Sequence, residues 1–495
     1  MVGTPAQPPA PDTPEYVVAR LHRWGAVQLS RRHPRRAGSV VVGRVKHEPV
    51  PPEVEIERAA KRLGVPLNAG QRQAGLDILA AVTAKRFHRL TGYAGSGKTT
   101  LVQVVMLVLS ARRVKMAGTA PTHKAVAVLS KKVKETGAEA SFGTIQSLLG
   151  LKPKPQGDRL TFTRDKYAEP VNADVIFLDE TSMVGRDLMV FIRRYLTGRA
   201  VIFVGDPAQL SPVGEARSEA FDIPDASHLD ETVRQAADNP VVQAALVLRA
   251  CQGGAMDWSW CQEAKKPPFG VYKPGDDLDR WLHRGFMSSD FDKDPDTFRY
   301  LAWTNRRVAD INARVQAWKF GADLDTPFAV KERVLLRAPI IQKKAIQANT
   351  NEEMTVLSIE RSEQKVNFEK AGDVARWSAT IPTWAMKLRS EDGMEIDTHL
   401  AASARDYEAT SRRIADEANM ARSRWGDFHR FKEKFAQMQG IPALTVHNSQ
   451  GSTFRNVFID VPDIRRRIGE NHLECQQLFY TGFTRPTHAV MLAGV

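Results

Sequence analysis

Residues 92–99 read Gly-Tyr-Ala-Gly-Ser-Gly-Lys-Thr, and the spacing G-x-x-x-x-G-K-T constrains the fold more than any other feature. The glycines let backbone N–H groups turn inward around phosphates, while the lysine and threonine supply a cation and a ligand for Mg²⁺. An apolar segment precedes this phosphate loop and a helical pattern follows it, so phosphates would lie at a helix N-terminus. The alternative is a chance glycine-rich turn. The predicted nucleotide-binding residues are Gly92, Gly95, Ser96, Gly97, Lys98, Thr99 and Thr100.

A second apolar run, residues 174–178, ends in the acidic pair Asp179 and Glu180. A buried parallel strand of this kind delivers both carboxylates to its carboxyl edge. There, Asp179 would hold Mg²⁺ and Glu180 would polarise the attacking water. A buried structural pair is the alternative, but together with the phosphate loop the pair predicts ATP hydrolysis. A third apolar strand, residues 200–204, leads to Gln209, where a sensor of the γ-phosphate would lie.

Two further stretches have both a functional and a structural interpretation. Gln71 begins an amphipathic segment, and its amide could read the N6 and N7 edges of adenine; an ordinary helix N-terminus is the equal alternative. Residues 151–165 predict a β-hairpin with its turn at residues 156–159. On this hairpin, Phe162 either stacks on a base or packs onto the domain beneath.

Length and charge narrow the class of protein. A chain of 495 residues is too long for one core, so roughly two to four domains are expected. The net charge of +13 favours a polyanionic partner such as nucleic acid. No apolar run reaches the roughly 18 residues of a membrane span. The three cysteines lack metal-type spacing, which fits a reduced, cytoplasmic setting.

The N-terminal region differs in composition from the rest of the chain. Residues 1–14 are rich in proline and alanine, which predicts disorder. A basic cluster follows at Arg31, Arg32, Arg35 and Arg36, and it either contacts a nucleic-acid backbone or forms a solvated face.

The order of these blocks resembles the motifs of superfamily 1 helicases, and within them the group that includes Dda and RecD. The stretch around Gln71 resembles the Q motif of the family, and the phosphate loop and the acidic pair resemble its nucleotide motifs. The other matching blocks are Thr119–Ala125, Thr144–Gly150, Gly205–Pro212, Thr232–Gln235, Leu301–Asn305, Thr445–Thr453 and Tyr480–Arg485. The likeness runs from about residue 60 to the C-terminus.

The resemblance implies roles for particular residues. Gln71 would read adenine, Gln209 would couple the γ-phosphate to the strand-binding surface, and Gly451 would belong to the nucleotide site. Arg234 and Arg485 would be arginine fingers that neutralise transition-state charge, and the implied cofactors are ATP and Mg²⁺, the metal held by Thr99 and Asp179. The implied DNA-binding residues are Pro121, Thr122, His123, Thr144, Phe162, Thr304, Asn305, Thr445 and His447.

Two positions depart from the family pattern. Residues 447–451 read His-Asn-Ser-Gln-Gly, where the family usually has His-Lys-Ala-Gln-Gly, so one positive charge toward a strand backbone is absent. Pro486 follows Arg485 where the family usually has alanine or glycine. Because proline restrains the preceding residue toward extended backbone, Arg485 is a less secure finger than Arg234.

The resemblance also implies an α/β architecture of two RecA-like P-loop domains, each a parallel sheet flanked by helices, facing each other across an ATP cleft. The expected parts are a basic, partly disordered extension (1–55), a first domain (56–235) with a pin hairpin at about 151–170, a second domain (236–325 and 441–495), and an inserted SH3-like β domain (326–440). A charged helical stretch, residues 407–435, carries aromatics expected to be core or a docking surface for the pin rather than a base-stacking platform.

The activity implied by the resemblance is that of a DNA helicase which moves 5′ to 3′ along a strand while the pin splits the duplex. The expected setting is replication, recombination or repair in the cytoplasm of a bacterium or a phage-infected cell. The expected protein is a monomer without membrane contact, and its partners are single-stranded DNA, duplex junctions, and single-strand-binding or replisome proteins. Three alternatives stay open: an ATPase that translocates or remodels protein–DNA complexes without unwinding, an RNA helicase, and a P-loop kinase or transporter ATPase, which needs neither the second domain nor Arg485.

Overall fold

The computed structural model describes residues 50–156, 159–231, 238–342, 345–372, 374–421 and 423–495. The predictions for residues 1–49, including the basic cluster at 31–36, lie outside the described residues. So do Arg234 and the block that contains it.

The first lobe is a six-stranded parallel sheet with helices packed on both faces. Its strands are β1 (Phe87–Gly92), β2 (Met116–Ala120), β3 (Ser141–Thr144), β6 (Val175–Leu178), β7 (Ala200–Gly205) and β8 (Ala226–Leu229), in the order β3-β2-β6-β7-β1-β8. Its helices are α1 (Pro52–Leu63), α2 (Ala69–Thr83), α3 (Lys98–Ala111), α4 (His123–Lys134), α5 (Ile145–Leu148) and α6 (Arg186–Leu196).

The central strands of this sheet bring the nucleotide motifs together. Every residue of β6 and of β7 is buried, as expected for strands covered on both faces. The strand β7 lies between β6 and β1, and all three are parallel. The phosphate loop follows β1, the acidic pair follows β6 and Gln209 follows β7, so all three motifs lie at one edge of the sheet, where parallel strands end.

The predicted hairpin forms as two antiparallel strands, β4 (Leu151–Gln156) and β5 (Arg159–Arg164). Its register pairs Leu151 with Arg164 and Pro153 with Phe162. The Phe162 side chain is 38% exposed, so packing onto the lobe accounts for only part of its surface.

The second lobe contains a further six-stranded sheet. Its strands are β9 (Ala264–Lys266), β10 (Phe269–Tyr272), β11 (Phe298–Ala302), β19 (Ala443–Thr445), β20 (Phe454–Asp460) and β21 (Pro486–Ala493), in the order β19-β11-β20-β21-β10-β9. Only β9 is antiparallel to its neighbour. Its helices are α7 (Pro240–Ala250), α8 (Leu278–Phe286), α9 (Ser289–Lys293), α10 (Asn305–Phe320), α13 (Val461–Arg465) and α14 (His472–Phe483). The predicted fold class, two parallel α/β sheets, is confirmed.

Between the two parts of the second lobe lies an antiparallel insertion. It comprises β12 (Arg333–Leu336), β15 (Glu353–Phe368), β16 (Trp377–Ser390), β17 (Glu395–Ala401) and β18 (Met438–Gly440), with a small hairpin of β13 (Ile340–Gln342) and β14 (Ala345–Ala348). The strand β15 is long, with 16 residues. The middle of β15 is largely half-buried or exposed on both faces, so buried and exposed residues do not alternate there. The strand continues through this part because it stays paired with β16. The SH3-like character and the domain limits stay predictions.

The charged helical stretch forms α11 (Ala404–Met420) and α12 (Arg424–Glu433). Phe428, Phe431 and Phe435 are at most 5% exposed and pack in one cluster, which confirms their interpretation as core. The helix α12 also lies against β4 of the hairpin. Among the described helices, none combines the length and apolar character needed to cross a membrane.

Candidate active site

The phosphate loop has the backbone geometry that binding of phosphates requires. Gly95 and Gly97 have φ angles of +80° and +81°, which side chains rarely tolerate. A Cβ at Gly92 would lie 2.6 Å from Ser96 Oγ, so this position also needs glycine. Helix α3 begins at Lys98 with no side-chain cap, which leaves the N–H groups of its first turn unbonded by a capping side chain and available to an anion.

Lys98 extends back along the phosphate loop. Its Nζ donates hydrogen bonds to the carbonyl oxygens of Gly92 (2.7 Å) and Tyr93 (2.8 Å). Burial lowers the pKa of the Lys98 ammonium, while the carboxylates of Asp206, Asp179 and Glu180 oppose that shift. Three carboxylates therefore favour the charged form of Lys98, which is expected to bind phosphate oxygens.

The acidic pair lies at the end of β6, as the sequence predicted. The backbone N–H of Asp179 donates to the Thr119 carbonyl at 2.8 Å, which fixes the pair against β2. Burial, and then the neighbouring Glu180 carboxylate, raise the pKa of Asp179 to about 6. Thr99, in the first turn of α3, and Asp179, at the end of β6, carry a hydroxyl and a carboxylate, which are ligand types that suit a hard cation such as Mg²⁺.

Glu180 has a strained backbone. Its φ and ψ are 53° and 44°, in the left-handed region that non-glycine residues rarely occupy. Such strain concentrates at functional sites, where surrounding structure holds the residue in place. Here it turns the Glu180 side chain toward the second lobe, where Arg485 Nη1 lies 3.7 Å from Glu180 Oε1.

Gln209 joins these two residues. Oriented to satisfy both neighbours, its amide nitrogen donates to Glu180 Oε2 at 3.2 Å and its oxygen accepts from Arg485 Nη2 at 3.2 Å. Arg485 is 4% exposed and also donates to the carbonyls of Ser452 and Thr481, both at 3.2 Å. One glutamine thus bridges a first-lobe glutamate and a second-lobe arginine.

The departure at Pro486 is compatible with this placement of Arg485. Pro486 is the first residue of β21, where the extended backbone that proline imposes on Arg485 continues into the strand. The Arg485 carbonyl accepts a hydrogen bond from the Phe454 N–H at 2.9 Å. The proline therefore anchors the strand behind the arginine without displacing its side chain from Glu180.

Two predicted nucleotide contacts have other partners. The Gln71 oxygen accepts from Asn68 N–H (3.0 Å) in a capping box of α2, and its amide nitrogen donates to the Ser96 carbonyl (3.0 Å). The Gln71 amide, 3% exposed, therefore supports the phosphate loop from behind instead of facing an adenine. A Cβ on Gly451 would lie 2.8 Å from Ala125 Cβ, so Gly451 abuts α4 and not the phosphate loop. Gln71 is occupied by the N-cap of its own helix and by the phosphate loop, whereas Gly451 is packed against a neighbouring helix.

The predicted DNA-binding residues occupy the ends of strands and the starts of helices in both lobes. Thr122 and Thr304 are the N-caps of α4 and α10, where each hydroxyl oxygen accepts a backbone N–H three residues on, at 3.3 and 3.2 Å. Thr144 and Thr445 accept hydrogen bonds of the same kind, at 3.1 and 3.2 Å. In Thr122, Thr144 and Thr445 no other hydrogen bond of the described residues uses the hydroxyl hydrogen. Thr144 and Thr445 are each 6% exposed, whereas Thr122 is half-buried, so of the three it is Thr122 whose hydroxyl is accessible to a phosphate.

Thr304 is the exception among the four. Its hydroxyl donates to Asp463 Oδ1 at 2.9 Å and so already has an acceptor, while the prediction that Thr304 binds DNA stays a prediction. The carboxylate of Asp463 also accepts from the N–H groups of Trp303 and Thr304, at 2.9 and 2.8 Å. Thr304 caps the N-terminus of α10. The helix begins at Asn305, and Asn305 is exposed.

The remaining predicted strand contacts are accessible to different degrees. Pro121 is half-buried and His123 is exposed, both where β2 passes into α4. His447 is half-buried, and burial lowers the pKa of its imidazole even though Glu474 Oε1 lies 3.9 Å away. A neutral His447 at physiological pH would contact a strand by hydrogen bonding and stacking rather than by charge.

The sequence analysis missed a set of buried polar residues beside the phosphate loop. Asp206, directly after β7, forms an ion pair with Arg249 of α7 and accepts a hydrogen bond from the Tyr480 hydroxyl. Asp206 and Tyr480 fall within blocks that resemble family motifs, but neither was given a role. Arg249 lies outside those blocks, and an arginine on an otherwise apolar helix was the only available signal.

Comparisons with known proteins agree with this geometry. A family model described as "AAA domain" matches residues 66–262, and one described as "UvrD-like helicase C-terminal domain" matches residues 440–493. The chain is 26% identical over 456 residues to the ATP-dependent DNA helicase dda of Enterobacteria phage T4, covering 86% of this chain and 98% of that protein. It is 33% identical over 180 residues to the ATP-dependent RecD2 DNA helicase of Deinococcus radiodurans, covering 36% of this chain and 23% of that protein.

Among the solved structures that match the chain is Pif1 from Bacteroides bound to single-stranded DNA, with a TM-score of 0.45 and 15% identity, covering 87% of this chain and 93% of that one. The sequence relatives, the two family models and the order of motifs along both lobes give one conclusion. The chain is a nucleotide-using superfamily 1 helicase of the group that includes Dda and RecD.

Proposed function

We propose that this protein is an ATP-dependent DNA helicase that moves 5′ to 3′ along single-stranded DNA and unwinds duplexes. The observation that carries the proposal is the Gln209 bridge between Glu180 of the first lobe and Arg485 of the second. Because the bridge depends on both lobes, closing them assembles the site and opening them dismantles it. Hydrolysis is thereby tied to relative movement of the lobes.

The binding of ATP follows from the phosphate loop. The N–H groups at the start of α3 would surround the phosphates, and Lys98 would exchange its hydrogen bonds to Gly92 and Tyr93 for bonds to phosphate oxygens. Thr99 and Asp179 would hold Mg²⁺, which when bound neutralises charge on the phosphates. Adenine recognition by Gln71 would require its amide to leave Asn68 or Ser96.

The residues around the Gln209 bridge account for hydrolysis. The Glu180 carboxylate would accept a proton from the attacking water, and Arg485 would stabilise the charge that builds on the phosphoryl oxygens. Gln209 contacts both and would hold the water in line. Arg234, the second predicted finger, would act on the same phosphate.

Movement along DNA follows from the capped helix N-termini in both lobes. The start of α4 carries Thr122 in the first lobe, and the start of α10 carries Asn305 in the second. Helix N-termini bind phosphates through N–H groups and the helix dipole, without reference to base sequence. If the two surfaces alternate in affinity as the lobes open and close, each ATP hydrolysed advances the protein along the strand.

Unwinding of tailed duplexes tests the function and its direction. We expect single-stranded DNA to stimulate ATP hydrolysis, and duplexes with a 5′ single-stranded tail to be unwound while 3′-tailed ones are not. Lys98→Ala should abolish both activities, because it removes the cation on the phosphates. Unwinding restricted to 3′-tailed duplexes would refute the direction. Stimulated hydrolysis without unwinding would instead indicate a translocase, and stimulation by RNA alone an RNA helicase.

The pin predicts a separation of activities. Phe162→Ala removes an exposed aromatic ring from the hairpin, which contains none of the nucleotide motifs. Unwinding of 5′-tailed duplexes should therefore fall several-fold while DNA-stimulated hydrolysis stays within about 2-fold of wild type. Tyr167→Ala is the matched control, since Tyr167 is 78% exposed just beyond the hairpin. Equal unwinding by both variants would show that Phe162 has no part in strand separation.

The biological setting also belongs to the proposal. A relative that covers 86% of the chain is a phage enzyme named as a DNA helicase, which supports a role in replication, recombination or repair in the cytoplasm. Single-stranded DNA and duplex junctions would be the substrates of a monomer, and single-strand-binding or replisome proteins its partners.

A further inference from the structure

Asp206 lies at the centre of a buried contact between the lobes that the proposed mechanism does not use. Its side chain is fully buried, and its Oδ1 accepts the Ala208 N–H at 3.1 Å and pairs with Arg249 Nη1. Its Oδ2 accepts the hydroxyl hydrogen of Tyr480, whose pKa is raised by burial and by Asp206, so the phenol stays protonated. We name Asp206, Arg249, Tyr480 and Tyr93 the Asp206 cluster.

The cluster joins the second lobe to the phosphate loop. Arg249 on α7 and Tyr480 on α14 belong to the second lobe, while Asp206 and Tyr93 belong to the first. The Arg249 guanidinium lies 4.5 Å from the ring centroid of Tyr93 and 5.8 Å from that of Tyr480. The Ala94 N–H donates to the Tyr480 hydroxyl at 3.4 Å. Two adjacent residues of the phosphate loop are therefore held by side chains of the opposite lobe.

The charge of Arg249 also matters for Lys98. Asp206 lies close to the phosphate loop, because its partners Arg249 and Tyr480 contact Tyr93 and Ala94 of that loop. An unpaired Asp206 would be a buried anion beside the phosphate loop, which is costly and which would attract the Lys98 ammonium away from phosphates. Arg249 neutralises that anion. Since its planar guanidinium pairs with the carboxylate while stacking on Tyr93, lysine cannot reproduce both contacts.

We propose that Arg249 is a positioning residue for ATP hydrolysis, which fixes the phosphate loop to the second lobe through Asp206 and Tyr93. This inference rests on the proposed function. Arg249 acts differently from Arg485, because its guanidinium pairs with Asp206, whereas that of Arg485 faces Glu180. Binding of DNA across both lobes would press the second lobe, and Arg249 with it, onto the phosphate loop. The orientation of Lys98 would then depend on lobe closure.

The test compares Arg249→Gln, Arg249→Lys and the control Arg465→Gln in the full chain. Arg465 is an exposed second-lobe arginine whose guanidinium lies over Trp258, 5.0 Å from the ring centroid. The kcat and KM for ATP are measured with and without single-stranded DNA. Each kcat is calculated per nucleotide-binding site, and the concentration of these sites is determined by binding of fluorescent ADP. We expect Arg249→Gln to lower the DNA-stimulated kcat on the order of 10- to 100-fold, with KM changed less than about 3-fold. Arg249→Lys should recover part of that loss, and Arg465→Gln should match wild type.

The double variant Asp206→Asn with Arg249→Gln separates positioning from loss of folding. If the loss of kcat in Arg249→Gln comes from an unpaired Asp206, removing that charge should restore part of the DNA-stimulated kcat. Two substitutions with independent, additive effects cannot give this result. A stimulated kcat of Arg249→Gln equal to wild type would overturn the inference, and so would a double variant worse than either single one.

Failure of the helicase proposal looks different in the same experiment. In that case DNA would leave the wild-type rate unchanged, while Lys98→Ala would still abolish hydrolysis. The inference about Arg249 would then be tested on the kcat measured without DNA. The Arg249 variants and the double variant should change that kcat in the directions given above, and the same outcomes would overturn the inference.

Discussion

Arg485→Ala is expected to lower the kcat of DNA-stimulated ATP hydrolysis about 10³-fold while ATP binding changes little, because a cation that stabilises the phosphoryl transition state is lost. The side chain is 4% exposed and lies 3.7 Å from Glu180 Oε1, so no solvent cation can take its place. Gln209 would also lose the donor to its amide oxygen and could no longer bridge the two lobes.

Single-turnover hydrolysis and fluorescent-nucleotide binding distinguish this effect from weaker binding. Arg485→Lys should recover little of the rate, since an ammonium cannot donate to Gln209, Ser452 and Thr481 in the same geometry. Arg465→Ala, which removes an exposed arginine from the same lobe, is the control and should leave the rate unchanged. A hydrolysis rate of Arg485→Ala within about 3-fold of wild type would exclude a finger role, since fingers contribute at least 10³-fold.

The parts of the site that depend on short stretches of sequence could be predicted. Glycine spacing fixes the phosphate loop, and continuous apolar runs identify β6 and β7 as strands buried on both faces. Since parallel strands end at one edge of a sheet, the meeting of Lys98, Asp179 and Gln209 followed from these runs alone. The hairpin at residues 151–164 followed from its turn residues and alternation in the same way.

Contacts between distant segments could not be predicted, because no local pattern specifies them. Gln71 illustrates this. Its amide oxygen is hydrogen-bonded in a capping box, and its amide nitrogen donates to the carbonyl of Ser96, a residue 25 positions away that comes near only in the folded chain. Gly451 was assigned to the nucleotide from motif resemblance, yet it is α4 that requires the absence of a side chain there. Arg249 lies outside the matched blocks, and only the folding of both lobes shows its pairing with Asp206.

The four threonines of the strand path show how one sequence pattern serves two purposes. Hydroxyl residues were assigned to DNA, and in the structure each first satisfies a backbone N–H at the start of a helix or turn. The two roles are compatible because a hydroxyl oxygen can accept while its hydrogen donates elsewhere. The hydroxyl of Thr304 cannot serve both purposes, because its hydrogen is donated to Asp463, which lies about 160 residues later in the chain.

Glu180→Gln should have the second large effect, a loss of about 10² to 10⁴ in the kcat of hydrolysis with ATP affinity kept within about 3-fold. Glutamine has nearly the same shape as glutamate and can still accept from Gln209 through its amide oxygen, so the lobes can close around ATP. What is lost is the carboxylate that accepts a proton from the attacking water. The variant should therefore accumulate in a closed, ATP-bound state.

That state gives Glu180→Gln a distinctive signature on DNA. In the presence of ATP its affinity for single-stranded DNA should stay at one constant value, whereas the wild-type value relaxes as ATP is consumed. Glu219→Gln is the control, because Glu219 pairs with Arg186 on the first-lobe surface. If Glu180→Gln hydrolysed ATP at the wild-type rate, another group would have to activate the water, and Asp179 is the carboxylate next to it along the chain. If instead hydrolysis stopped and DNA affinity still relaxed with time, movement of the lobes would not be governed by the Gln209 bridge.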